Sequence, residues 1–179
     1  MTTFPHRLMG ASVLDVDTYE EVEADRGATV QALIVVLASS LAGGIGASGF
    51  IHDGHPIAQG IFIWSAISLV AWASWALLVF EIGGRLLPEP ETRVDVGELM
   101  RTIGFSSAPG LLRIFGVVPE LALPVFILTT VWMLVAMVVA VRQALDYRST
   151  ARAIAVCALG LALALAIALG FGLLARPVS

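Results

Sequence analysis

Few residues in this 179-residue chain could do chemistry. The densest group is HDGHP, His52 to Pro56, where His52, Asp53 and His55 offer two imidazoles and a carboxylate. Such donors suit a transition-metal ion, and Glu120 could join them from another turn. Two histidines and one acid at a turn tip more commonly make a polar turn. They stand as weak metal candidates, and neither a metal nor a cofactor is expected. The second group is GFSSAPGLLRIFG, Gly104 to Gly116, which sets Ser106, Ser107 and Arg113 among apolar residues. No base lies near those serines in sequence, so no nucleophile–base pair is visible. All ten basic residues are arginines, which excludes a Schiff-base lysine and a P-loop lysine. Cys157 is the only cysteine, and inside an apolar run it reads as a small core residue. The chain is not expected to be an enzyme.

The elements that must position these residues are apolar. The chain is 58% hydrophobic and 13% charged, against about 25% charge in soluble domains, and its mean hydropathy is +0.91. A fold of this size cannot hide so much apolar surface from water. Lipid is therefore the expected solvent, and the class is an all-α, polytopic membrane protein. The net charge of −4 leaves no basic patch for nucleic acid.

Residues 1–27 form an acidic segment with Asp15, Asp17, Glu20, Glu21, Glu23 and Asp25. It lacks the small-residue cleavage site of a signal peptide. Asp17 and Glu20 fit a capping box, which predicts a short helix over Thr18 to Ala24. Upstream, Leu8, Met9, Val13 and Leu14 suit an amphipathic turn on a membrane surface.

Five apolar runs follow, at 28–50, 57–82, 99–118, 121–141 and 153–175, each near the length that spans about 30 Å of hydrocarbon. In the first, Ser39, Gly43 and Ala47 repeat at small-xxx-small spacing, as do Ser40, Gly44 and Ser48, a pattern that lets helices approach closely. In the second, Trp64, Trp72 and Trp75 share one side, too deep for an interface belt. They are expected to pack on another span. In the last, Ala158, Ala162, Ala166 and Gly170 form one small-residue ladder, and Gly160, Ala164, Ala168 and Gly172 a second.

The third run carries a fault. Pro109 has no N–H and its ring clashes with the carbonyl of Phe105, so the helix should break near Ala108. Ser106 and Ser107 can satisfy the freed carbonyls, Gly110 follows the break, and Arg113 is expected to snorkel outward and meet Glu120. Placing the N-terminus in the cytoplasm puts Arg7, Arg26, Arg85, Arg93, Arg101, Arg142, Arg148 and Arg152 inside and leaves Arg113 and Arg176 outside. That is the split the positive-inside rule favours, and it puts the C-terminus outside.

Three segments resemble the Yip family, the Ypt/Rab-interacting membrane proteins, in its bacterial branch. They are LDVDTYEEVEADRGATVQALIVVLASSLAGGIGA (Leu14 to Ala47), GFSSAPGLL (Gly104 to Leu112) and VWMLVAMVVAVRQALDY (Val131 to Tyr147). The resemblance implies a five-span bundle with a cytoplasmic N-terminus, here in a bacterial inner membrane. Eukaryotic relatives are implicated in vesicle traffic, in binding prenylated small GTPases and in shaping membranes. The expected role is a non-enzymatic scaffold or organiser, with membrane lipids, other membrane proteins or further copies of the chain as partners. The alternative is a small transporter or channel built on the broken third span.

Overall fold

The computed structural model describes residues 2–47, 69–93 and 95–174, and among them all regular structure is helical. The acidic segment folds into two short helices, α1 (Phe4–Ser12) and α2 (Val16–Ala24). Leu14 turns the chain between them with a φ of 65°. The cap of α2 differs from the sequence expectation. Asp15, not Asp17, accepts the backbone N–H and the hydroxyl of Thr18, at 3.3 and 2.6 Å. A cap holds an N–H two or three residues after it, and Asp15 does so for Thr18, which starts the helix two residues earlier than a cap at Asp17 would.

Helix α3 (Ala28–Ala47) follows after Asp25 turns the chain by accepting the Gly27 N–H at 2.8 Å. The chain re-enters described structure in α4 (Leu69–Leu86), whose last turns, Phe80–Leu86, widen to π geometry. Helix α5 (Val96–Phe105) starts earlier than the apolar run suggested, because Asp95 and Glu98 form a capping box. Then come a 3₁₀ helix (Ala108–Val117), α6 (Pro119–Ala144) and α7 (Thr150–Leu174).

Among the described residues three helices, α3, α4 and α6, are long and apolar enough to cross a membrane, and Thr150–Ala164 adds a shorter apolar stretch. The third apolar run is not one α-helix. Ten α-helical residues end at Phe105, and ten 3₁₀ residues begin at Ala108. The Ser106 hydroxyl caps this junction on the Ile103 carbonyl at 2.7 Å. A 3₁₀ run this long is uncommon, and at about 2.0 Å per residue it reaches further than the same number of α residues.

Glycines set where the two-part segment lies. A Cβ on Gly104 would sit 2.7 Å from the Ala32 Cβ; one on Gly110 would overlap the Ser39 hydroxyl; one on Gly116 would sit 3.1 Å from the Gly46 carbonyl oxygen. Ala32, Ser39 and Gly46 climb α3 in order, so α5 and the 3₁₀ helix run beside α3 in the same direction over most of its length. Helix α6 returns antiparallel to them. Met137 approaches Ser106, Met133 approaches Gly110, and Phe126 approaches Gly116.

The core has two centres. One gathers Ala76, Val79, Leu99, Ile103, Val141 and Leu145, where α4, α5 and α6 meet. The other holds Ala11, Tyr19, Ala28, Ala32, Phe105 and Ala140, where α1 and α2 meet α3, α5 and α6. Phe4 closes it edge-on against Phe105, with ring centroids 6.3 Å apart. Helix α1 reaches well along the bundle, since the Trp132 indole N–H donates to the Ser12 carbonyl at 2.8 Å. Its outer face leaves Met9 and Val13 70% and 71% exposed.

Candidate functional site

Two regions hold charged side chains that are buried or half-buried. The first is the polar end, where α1, α2 and the loops after α4 and α6 meet. Arg7 is 1% exposed and forms ion pairs with Glu21 and Asp25 at 2.9 and 2.8 Å, and it donates to Gln31 at 3.1 Å. The Thr2 hydroxyl and N–H, with Arg7 behind them, hold the Glu21 carboxyl down at about 2. Arg7 first, then the Gly27 N–H, lower Asp25 as well. Arg101 is 5% exposed and donates to the Val22 and Glu23 carbonyls at the C-terminus of α2. A cation there satisfies orphan carbonyls and complements the helix dipole.

Glu23 itself is raised to about 7, by burial first and then by Asp146 and Glu98, against the pull of Arg101. The Tyr147 hydroxyl donates to the Gly83 and Leu87 carbonyls at 2.8 and 2.7 Å, and Arg142 donates to the Tyr147 carbonyl at 3.2 Å. Arg148 pairs with Glu91 at 2.7 Å and Arg152 with Glu89 at 3.3 Å, tying the two loops together. These are structural contacts. They fix the polar end of the bundle.

The second region is a cavity of about 580 Å³ between α3, α4, the α5–3₁₀ segment and α6. Its walls include Gly43, Gly44, Trp72, Trp75, Met133 and Met137, with Ser39, Ser40 and Ser107 supplying hydroxyls. Arg113 stands at one end. The expected Arg113–Glu120 pair is not made. In a 3₁₀ helix residues three apart eclipse, so Arg113 shares the face of Gly110 and Gly116 and turns into the bundle. Its Nε and Nη2 donate to the Thr129 and Thr130 hydroxyls at 3.2 and 2.9 Å, and its guanidinium lies 5.3 Å over the Phe126 ring. Among the described residues no carboxylate pairs with it.

The two described tryptophans of α4 take different roles. The Trp72 indole donates to the Met100 carbonyl at 3.2 Å. Trp75 packs against Gly160 of α7, and among the described residues its buried Nε1 has no hydrogen-bond partner. Gly43 and Gly44 line the cavity, whereas Gly46, a glycine outside the two small-residue repeats, makes the tight contact with the 3₁₀ helix. Pro109 and Gly110 are buried at the start of that helix. His52, Asp53, His55 and Trp64 lie outside the described residues. Among those described, no group of three or more His, Cys, Asp or Glu is placed to hold a metal ion.

The burial of Arg101 had no signal in the sequence beyond its place in the first turns of a helix. The Asp95–Glu98 cap had a plain one.

An all-helical bundle with apolar outer faces, a capped acidic hairpin and a segment broken at a proline narrows the comparison. The model described as Yip1 domain matches residues 13–171. The chain belongs to this family. No curated protein and no solved structure matches it. As a Yip1-domain protein, it is a membrane protein whose match runs from the turn before α2 into α7.

Proposed function

We propose that this Yip1-domain chain is a five-crossing, non-catalytic membrane scaffold that holds other membrane proteins, or copies of itself, by its apolar flanks. The observation that carries the reading is the bareness of its apolar helices. Helix α6 has a mean hydropathy of 2.4 over its best window, yet only 22% of that window is buried within the chain. Leu123, Ile127, Leu128, Val131 and Leu134 are left outward. Lipid can cover such a face, and a neighbouring helix can replace the lipid at little cost.

The register of α5 and the 3₁₀ helix along α3 supports counting that segment as a crossing. α7 would then be the fifth, and the N- and C-termini would lie on opposite sides. Arg7, Arg101, Arg142, Arg148 and Arg152 all gather at the end that carries α1 and α2, which supports a cytoplasmic N-terminus under the positive-inside rule. That orientation fits the inner membrane of a bacterium, and the exposed Asp15, Asp17 and Glu20 would then face cytoplasmic partners.

The test has two parts. A reporter fused after Ser179 should be active only on the outer side of the membrane; activity on the cytoplasmic side overturns the five-crossing count. Tagged protein extracted with native lipid into nanodiscs should carry a second copy or a stoichiometric membrane partner. Recovery as a bare monomer by several extraction methods overturns the scaffold role.

A further inference from the structure

The cavity beside Arg113 has the polarity gradient of a lipid. Along α3 its wall runs from Ala47 back to Val36, about 16 Å at 1.5 Å per residue. Arg113 and Phe126 mark the end nearest the 3₁₀ terminus, and Trp72, Met137 and Ile103 mark the other. Its volume of about 580 Å³ falls within the roughly 300–1,000 Å³ of small-ligand sites. Small residues of α3 open it: among the described residues, a Cβ on Gly43 would meet only the Arg113 Cδ, at 3.7 Å.

The charge at its mouth is half-buried and rests on two hydroxyls and a ring face. A cation held at membrane depth with no acid among the described residues is costly unless an anion joins it. Thioether and indole walls adapt to a flexible apolar chain.

We infer that this cavity binds one acyl chain of an anionic amphiphile, its carboxylate or phosphate on Arg113 and its chain between the tryptophans of α4 and the methionines of α6. The site goes beyond the scaffold role and does not rest on it. A polar solute would not match an elongated wall of Trp72, Met133, Met137 and Ile103. A neutral lipid would leave Arg113 unanswered.

Trp72 and Trp75 supply the readout. The full chain, purified in a neutral detergent, is titrated with bromine-labelled oleate, phosphatidylglycerol or phosphatidylcholine while tryptophan fluorescence is followed. The anionic probes should quench saturably, with unlabelled lipid reversing the effect, and Arg113→Gln should weaken them about tenfold, ~1.4 kcal/mol, without changing the response to phosphatidylcholine. Gly43→Leu should fill the cavity and remove the saturable component; its melting curve, at or above the parent's, shows that the fold persists. Saturation by oleate alone identifies a free fatty acid, and by phosphatidylglycerol alone a membrane phospholipid. Non-saturable quenching equal for all three probes, or saturable quenching unchanged in both variants, overturns the site.

Discussion

Two glycines three residues apart on α3 should respond to alanine in opposite ways. At Gly46 a Cβ would overlap the carbonyl oxygen of Arg113, lie 2.9 Å from its carbonyl carbon and 3.2 Å from the Phe126 ring. Two of those three atoms belong to main chain, so neither can rotate aside. Gly46→Ala therefore has to push the 3₁₀ helix off α3, which strains the Arg113 bonds to Thr129 and Thr130. Overpacking of this kind costs about 1–3 kcal/mol, and immovable neighbours put it at the upper end. Against this stands the helix propensity of alanine over glycine, about 1 kcal/mol, for a net loss of ~2 kcal/mol. At Gly43 the same Cβ meets a flexible side-chain carbon at 3.7 Å, an ordinary contact, so the propensity gain of about 1 kcal/mol survives. For a chain of this size each kcal/mol moves Tm by about 2–4 °C. Thermal unfolding in a maltoside detergent should place Gly46→Ala about 4–8 °C below the parent and Gly43→Ala about 2–4 °C above it. If the two variants melt together, or if Gly43→Ala is the damaging one, the seam between α3 and the 3₁₀ helix is not where these contacts put it.

Glu23 should give a pH signature. Its carboxyl is raised to about 7 in the fold, so the folded chain holds a proton that the unfolded chain has lost, and stability falls as pH rises from about 4.5 to 7. Glu23→Gln removes that loss. After solvent screening, ~1 kcal/mol should appear as a Tm gain of about 2–4 °C at pH 8 and none at pH 4; an equal gain at both values would show that charge is not the cause. Arg101→Met should leave the Val22 and Glu23 carbonyls without their donor, a loss of about 2–3 kcal/mol. Because those bonds hold α2 to α5, limited proteolysis should cut between residues 2 and 27 before the bundle melts; cleavage unchanged from the parent would refute that role.

The apolar helices α3, α4 and α6 and the fault at Pro109 are legible in the sequence, because lipid imposes length and composition on anything that crosses it. The helix that carries residues 119–144 was legible in this way to within a few residues. Packing partners were not, because a small residue in sequence does not say whether it admits a neighbour or leaves a space. In the sequence the repeat through Ser39, Gly43 and Ala47 reads as one close-approach face. In the fold, Ser39 meets Gly110 while Gly43 opens onto a cavity, and the tight contact falls to Gly46.

The same ambiguity governed Arg113. Counted along an α-helix, it lies near the end of a span, where a long side chain can reach water. Once Pro109 stops the α-helix and the chain winds three residues to the turn, Gly110, Arg113 and Gly116 fall on one line. The two glycines draw that line against α3, and the arginine has to go in with them. The fault at Pro109 therefore does more than break a helix: it decides which way the cation of the third segment points, and with it whether a cavity in this bundle carries a charge.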